Sequence, residues 1–341
     1  MRIVVFGPER RVGALQGDNV IDLNAAYAKL AREAQDDHAP YASAAANSPA
    51  DLEEFILAGD RALAGAQAAV EYLTTRAGDH LGPRGETVVT PVASTRLHAP
   101  LAHRGVKLVM AGANYWDHAY DNMKAQNPNI TPADVIEISR KRGIGGFWKL
   151  PDFVVGPDVD ITYPAKTRYL DYEGEVTVVI GKAAKDARGE DLLDYVWGYT
   201  LQNDWSARDQ VDAAIGGLAW SSMKNWDGSS SIGPCIVVGE IKDPQDIDFM
   251  TTVNGEVRQK GNTRDMTFSF AEYLQHMTRD ITLKPGDMIA AGTCKGTAMD
   301  QTPRVEGGGF SSDKLFLRVG DVVEVSSPVI GTLRNRIVAK S

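Results

Sequence analysis

"YLDYEGEV", residues 169–176, places Glu173 and Glu175 two apart in a run that reads as a β-strand. Alternation sends residues i and i+2 to one face, about 7 Å apart. Asp171 shares that face by the same count, while Tyr172, Gly174 and Val176 point the other way. Like charges so placed repel, and they need either open water or a cation. At the start of the run, Asp171 reads as solvated or paired with an arginine. Beyond it the strand continues as "GEVTVVIG", and "SIGPCIVVG", "FMTTVNGEVRQ", "DMIAAGT" and "GDVVEVSS" repeat the pattern between turn residues. These short β-branched runs predict a strand-rich α+β protein.

The N-terminal third differs. Residues 3–6 and "RVGALQGDNVIDL" read as strands around a Gly-Asp-Asn turn, followed by a helix over "LNAAYAKLAREAQ". "YASAAANSPA" (41–50) reads as a small, polar loop. In "SPADLEEFILAG" a second helix is expected, with Ser48 as N-cap, Pro49 first inside and Asp51 completing a capping box. From Gly78 to about Thr95 helical periodicity is lost. These features place a boundary near residue 100, giving an N-terminal α+β domain (1–100) and a larger domain (101–341). In the latter, Pro132–Arg142 and Thr267–Thr278 are the clearest helices, the first opened by a Thr131/Asp134 capping box. Asn254-Gly255 marks a hairpin. The stretch 122–150 is long for a connector and reads as a helix-bearing lid, hinged at Gly143, Gly145 and Gly146. Its Phe147 and Trp148 either line a substrate site or pack onto the core.

Apolar residues at 43% and charged residues at 24% of 341 are globular values. A net charge of −9 argues against nucleic-acid binding, which needs a basic face. It still permits an anionic substrate, because a bound divalent cation reverses a pocket's sign locally. With only Cys235 and Cys294, no disulfide framework or thiolate zinc site is expected. The first residues lack a signal-peptide run, and no stretch nears the ~20 apolar residues of a membrane span. A soluble, cytoplasmic protein is expected, with no membrane partner.

Asp204, in "LQNDWSARDQ", follows another strand-like run and would complete an all-oxygen site beside Glu173 and Glu175. Such a site suits Mg²⁺, Mn²⁺ or Ca²⁺ rather than zinc. Here the sequence resembles the fumarylacetoacetate hydrolase superfamily. The resemblance rests on "LDYEGEVTVVIGK", "GYTLQNDWSARD" and "MKNWDGSSSIGP", with "GANYWDHAYD" upstream and "AAGTCKGT" downstream. It covers about residues 100 to 341. It implies a mixed β-sandwich roll as catalytic core, a homodimer, and a divalent ion held by Glu173, Glu175 and Asp204.

Carried over residue by residue, the resemblance implies His118 as general base, with Asp121 one helical turn on to orient it where the family has Glu. Lys224 is implied to meet substrate oxygens, and Tyr115 and Thr293 to contact substrate. Arg208 is either an ion-pair partner or a donor towards the reacting carbonyl. Val211 stands where the family's namesake has Gln, one place after Gln210, and Cys294 replaces the usual Pro.

The reaction expected first is hydrolysis of a C–C bond in a 1,3-dicarbonyl or acylpyruvate-type 2-oxo acid. In it His118 activates water, Lys224 steadies the oxyanion, and the metal stabilises an enolate. The alternative is isomerisation, decarboxylation or hydration of a 2-oxo diacid from aromatic degradation, on the same ion without water attack.

Overall fold

The structure is a computed structural model that describes residues 1–76, 80–101, 103–124, 127–210, 219–305 and 309–340. Of residues 121, 122, 219 and 220 it describes the backbone alone. Val211 lies outside the described residues.

Two sheets carry the fold. The larger, twelve-stranded among the described residues, runs in the order Val89–Pro91, Asn19–Asp22, Arg11–Gln16, Arg2–Phe6, Ser230–Val237, Val196–Asp204, Gly174–Ile180, Met288–Ala290, Leu108–Ala111, Gly146–Lys149. Two short strands pair beside this path. Most pairs are antiparallel, but Met288–Ala290 runs parallel to Leu108–Ala111, so the sheet is mixed. The second sheet orders Glu256–Asn262, Asp248–Val253, Val322–Ser327, Gly331–Val338 and Ile161–Thr162, with Asn254-Gly255 turning its first hairpin.

Period-two patterning sorts the central strand's side chains to its two faces. Val176, Val178 and Ile180 join Phe249, Val325 and Leu333 of the second sheet in one apolar cluster. Val179, on the opposite face, joins Ile3, Phe55, Leu108 and Ile232 in another. The large sheet is therefore buried on both faces, and its central strand reads as an apolar run interrupted only by glutamate and threonine.

Ile3 registers with Ile236, so the strands of the first hundred residues extend the same sheet as those beyond the expected boundary. Helices Leu23–Ala34, Pro40–Asn47, Leu52–Ala58 and Asp60–Thr74 cover this end. The first is capped by Asp22, whose carboxylate accepts from Ala25 N at 3.0 Å. Two expectations need correction here. Residues 41–50, read as a loop, are mostly helix, because Pro40 takes the first helical position and the alanines after it favour helix. The next helix is capped by Asp51 rather than Ser48, the aspartate accepting from Glu54 N.

The Thr131/Asp134 capping box opens Pro132–Arg142 as expected, and Ser269/Glu272 opens Phe270–Met277. Gly146, expected in a hinge, occupies a close-approach position in a sheet strand. A Cβ there would meet Met110 O at 2.3 Å. Among the described residues no helix is long and apolar enough to cross a membrane.

Candidate metal centre and active site

Glu173 precedes the strand Gly174–Ile180, and Asp204 ends the neighbouring strand Val196–Asp204. Asp204 N donates to Glu173 O at 2.9 Å, and Glu175 registers with Gln202. Directly opposed residues on antiparallel strands project to the same side, so the ladder brings all three carboxylates to one face. Their ligand oxygens lie within 4.8 Å of one another, and all three residues are buried.

Gly174 explains the spacing from the other side of the sheet. A Cβ on it would meet Thr251 Oγ1 at 2.1 Å, so the second sheet closes directly against the backbone between the glutamates. Gln259 of that sheet accepts from Gly174 N at 3.0 Å and donates to Thr293 Oγ1 at 2.7 Å and Cys294 O at 2.9 Å. Thr293 Oγ1 donates in turn to Gly174 O, and Gly292 N donates to Glu175 Oε2 at 3.0 Å. Cys294 is fully buried in this turn, and burial pushes its thiol well above the ordinary range, which suits packing rather than nucleophilic attack.

Cations surround the cluster. Lys224 Nζ donates to Glu173 Oε2 at 2.6 Å, Asp204 Oδ2 at 2.8 Å and Ser206 Oγ at 2.6 Å. Lys149, only 2% exposed, pairs with the other oxygen of Asp204 and donates to Ser229 O. Arg208 bridges Asp171 at 2.8 Å and Glu173 at 2.6 Å. Asp171 is thus the arginine-paired residue of the two readings, its Oδ1 also accepting from Ala298 N. Burial raises the Glu173 carboxyl's pKa, but Lys224 and Arg208 outweigh it and hold the group well below its usual range.

Glu175 is the exception. Among the described residues it has no ion-pair partner, and burial beside Asp204 and Glu173 pushes its carboxyl well above the usual range. This donor set fits a divalent cation: three convergent carboxylates, no sulfur or nitrogen ligand, and one buried carboxyl whose charge two lysines and an arginine leave uncompensated.

His118, on the helix Trp116–Lys124, sets Nδ1 2.9 Å from Asp300 Oδ2. Burial disfavours the imidazolium, yet Asp300 outweighs it and the His118 pKa is raised. Asp300 is itself held by Gly296 N at 3.0 Å and Thr297 N at 3.1 Å, and His118 keeps it below its usual range despite burial. The side chain of Asp121, expected in that orienting role, lies outside the described residues. The carboxylate found on Nδ1 is Asp300. Its Thr297-x-x-Asp300 turn is visible in the sequence, but nothing there indicates that it meets a histidine 182 residues away. Lys149 and Gln259 likewise carried no signal, since their partners are distant in the chain.

Glu173, Arg208, Lys224, His118, Thr293 and Phe147 line one cavity of about 310 Å³. Tyr115 does not. Expected to touch substrate, it is fully buried in the core against Phe249 at 5.9 Å between ring centroids, because the chain enters the helix with that side chain facing inward. Phe147 takes the lining position proposed for it, while Trp148 is 42% exposed.

A family model described as fumarylacetoacetate (FAA) hydrolase, C-terminal, matches residues 107–338. The oxaloacetate tautomerase YisK of Bacillus subtilis is 35% identical over 295 residues, covering 85% of this chain and 87% of its own. The mitochondrial oxaloacetate tautomerase fahd2 of Xenopus laevis is 30% identical over 345 residues, covering 99% of this chain and 90% of its own. Among solved structures, the fumarylacetoacetate hydrolase of Exiguobacterium antarcticum superposes with a TM-score of 0.69 at 26% identity, over 100% of both chains.

Proposed function

The chain belongs to the fumarylacetoacetate hydrolase family, and from that premise we propose that it is a divalent-metal-dependent tautomerase of a 2-oxo acid of the oxaloacetate type. The observation that carries this reading is the His118–Asp300 pair on the same cavity as Glu173 and Lys224. Relatives of similar length named as oxaloacetate tautomerases support it.

Glu173, Glu175 and Asp204 would hold Mg²⁺ or Mn²⁺, which supplies Lewis acidity to the oxygens of a chelating 2-oxo acid. The protein's own groups move the proton. Asp300 fixes the His118 tautomer with hydrogen on Nδ1, which makes Nε2 the basic nitrogen. Nε2 takes a proton from the carbon beside the ketone, and Asp300 steadies the resulting imidazolium. Delivery of a proton to the enolate oxygen completes the keto-to-enol exchange, and the reverse reaction moves a proton from the enol oxygen to that carbon, with no net loss or gain of atoms. Lys224 and Arg208 keep Glu173 ionised and add positive potential where oxygen charge develops.

A second reading is C–C hydrolysis of an acylpyruvate, favoured by the same dyad, since an oriented imidazole also activates water. One experiment separates them. Enol-oxaloacetate decay is followed by ultraviolet absorbance with Mg²⁺ or Mn²⁺, alongside chromatography of products from acylpyruvates. Accelerated enol decay without cleavage products supports tautomerisation. An acid plus a 2-oxo acid as products replaces it with hydrolysis, and neither outcome sinks both.

A further inference from the structure

Arg142 ends the helix Pro132–Arg142 and is the third of three consecutive basic residues. Arg140 pairs with Glu272 at 2.7 Å, and Lys141 pairs with Glu137 at 2.5 Å. Arg142 has no acidic partner among the described residues, and unlike its neighbours it lines the cavity that holds His118, Lys224 and Glu173. A basic residue in the last turn is accounted for by the helix dipole. That does not account for a guanidinium without an acidic partner on the wall of a chamber where Lys224 and Arg208 already serve Glu173 and Arg304 lies over the Phe310 ring at 4.8 Å.

The same wall includes Ala113, Met123, Phe147 and Met299. The chamber thus combines carboxylate and hydrogen-bonding groups, apolar side chains and a planar cation. A guanidinium binds a carboxylate through two parallel hydrogen bonds. We infer that Arg142 reads a second carboxylate, making the preferred substrate a dianionic 2-oxo acid. This rests on the oxaloacetate-type reading above and assigns a residue to that substrate's second carboxylate.

The test compares wild type, Arg142→Gln and Arg142→Lys with Mn²⁺ present. It measures steady-state kinetics on enol-oxaloacetate, inhibition by pyruvate, which has one carboxylate, and turnover of acetylpyruvate, also a monocarboxylate. Arg142→Gln should raise the oxaloacetate KM about 10- to 100-fold, the size of a lost charge-assisted pair. The loss should fall on KM rather than kcat, as expected for a ground-state contact. Pyruvate inhibition should stay unchanged, and Arg142→Lys should recover part of the loss.

Equal weakening of pyruvate and oxaloacetate by Arg142→Gln would overturn the assignment, as would an unchanged KM. A wild-type enzyme that handles acetylpyruvate as readily as oxaloacetate overturns it too, while leaving the 2-oxo acid reading intact. Wild type inert to every 2-oxo acid removes the broader reading as well.

Discussion

Lys149 and Lys224 take opposite oxygens of the same carboxylate: Lys224 Nζ sits 2.8 Å from Asp204 Oδ2, while Lys149 pairs with Oδ1. Asp204 is 1% exposed, so neither ion pair is screened by water. Removing one partner of a buried pair leaves a charge uncompensated and costs roughly 3–5 kcal/mol. Lys149→Met should lower the stability of the metal-free protein by about that much in urea unfolding. A divalent cation should recover part of the loss by restoring positive charge beside Asp204. Stability equal to wild type in chelator would mean that Lys149 is dispensable to Asp204.

His118 and Asp300 set a pH dependence. As a base, His118 works in its neutral form, so activity should rise with pH through its pKa, which Asp300 raises above the ordinary 6.5. In Asp300→Asn the amide no longer stabilises the imidazolium, so the largest influence opposing burial is lost and the acidic limb should move to lower pH. Turnover should fall by about 10²- to 10⁴-fold, the usual range for acid–base assistance. The pH–rate profile decides it. A limb that stays in place assigns it to another group.

Glu175 predicts how metal binding depends on pH. Its folded pKa is raised, so its contribution to stability is fully present below its unfolded pKa and is lost as pH rises through the folded value. A divalent ion reverses this loss by replacing the proton. The rise in Tm on adding Mn²⁺ should therefore grow from acidic to neutral pH. In Glu175→Gln both the rise and its pH dependence should shrink. Calorimetry at several pH values checks it, and a pH-independent shift would place the ion elsewhere.

Gly174 predicts a packing effect. Alanine there would drive a methyl into Thr251 Oγ1, and overpacking of this kind costs roughly 1–3 kcal/mol. Gly174→Ala should lose about that much stability and weaken Mn²⁺ binding measured by titration calorimetry. Adding Thr251→Ala should restore part of both. Were the double variant no better than the single, the close approach would not be what requires glycine.

Much of this site is legible in sequence because a strand's period of two is a local rule. Glu173 and Glu175 must share a face, and "LQNDWSARD" carries Asp204 at the end of the next strand. The capping box at Thr131 is local in the same way. What escaped depends on tertiary contact. Asp300 meets His118 only once a C-terminal turn folds back across the sheet. Lys149 reaches Asp204 from an edge strand that read as a lid. Tyr115 sits in the same motif as His118, yet its direction is set by the core it plugs. Residues 41–50 read as a loop from their small, polar side chains, although alanines after a proline suit a helix.

Gln259 makes this centre a reporter on assembly. The three clustered carboxylates belong to the large sheet, but the amide joining their backbone to the Thr293–Cys294 turn comes from the small one. Neither sheet can present the complete centre alone. A chain caught during folding with only its large sheet formed would hold three carboxylates without the Gln259 amide that ties their backbone to the Thr293–Cys294 turn. Uptake of the ion should therefore come late in refolding, and tight metal affinity becomes a signature that the two layers have closed upon each other.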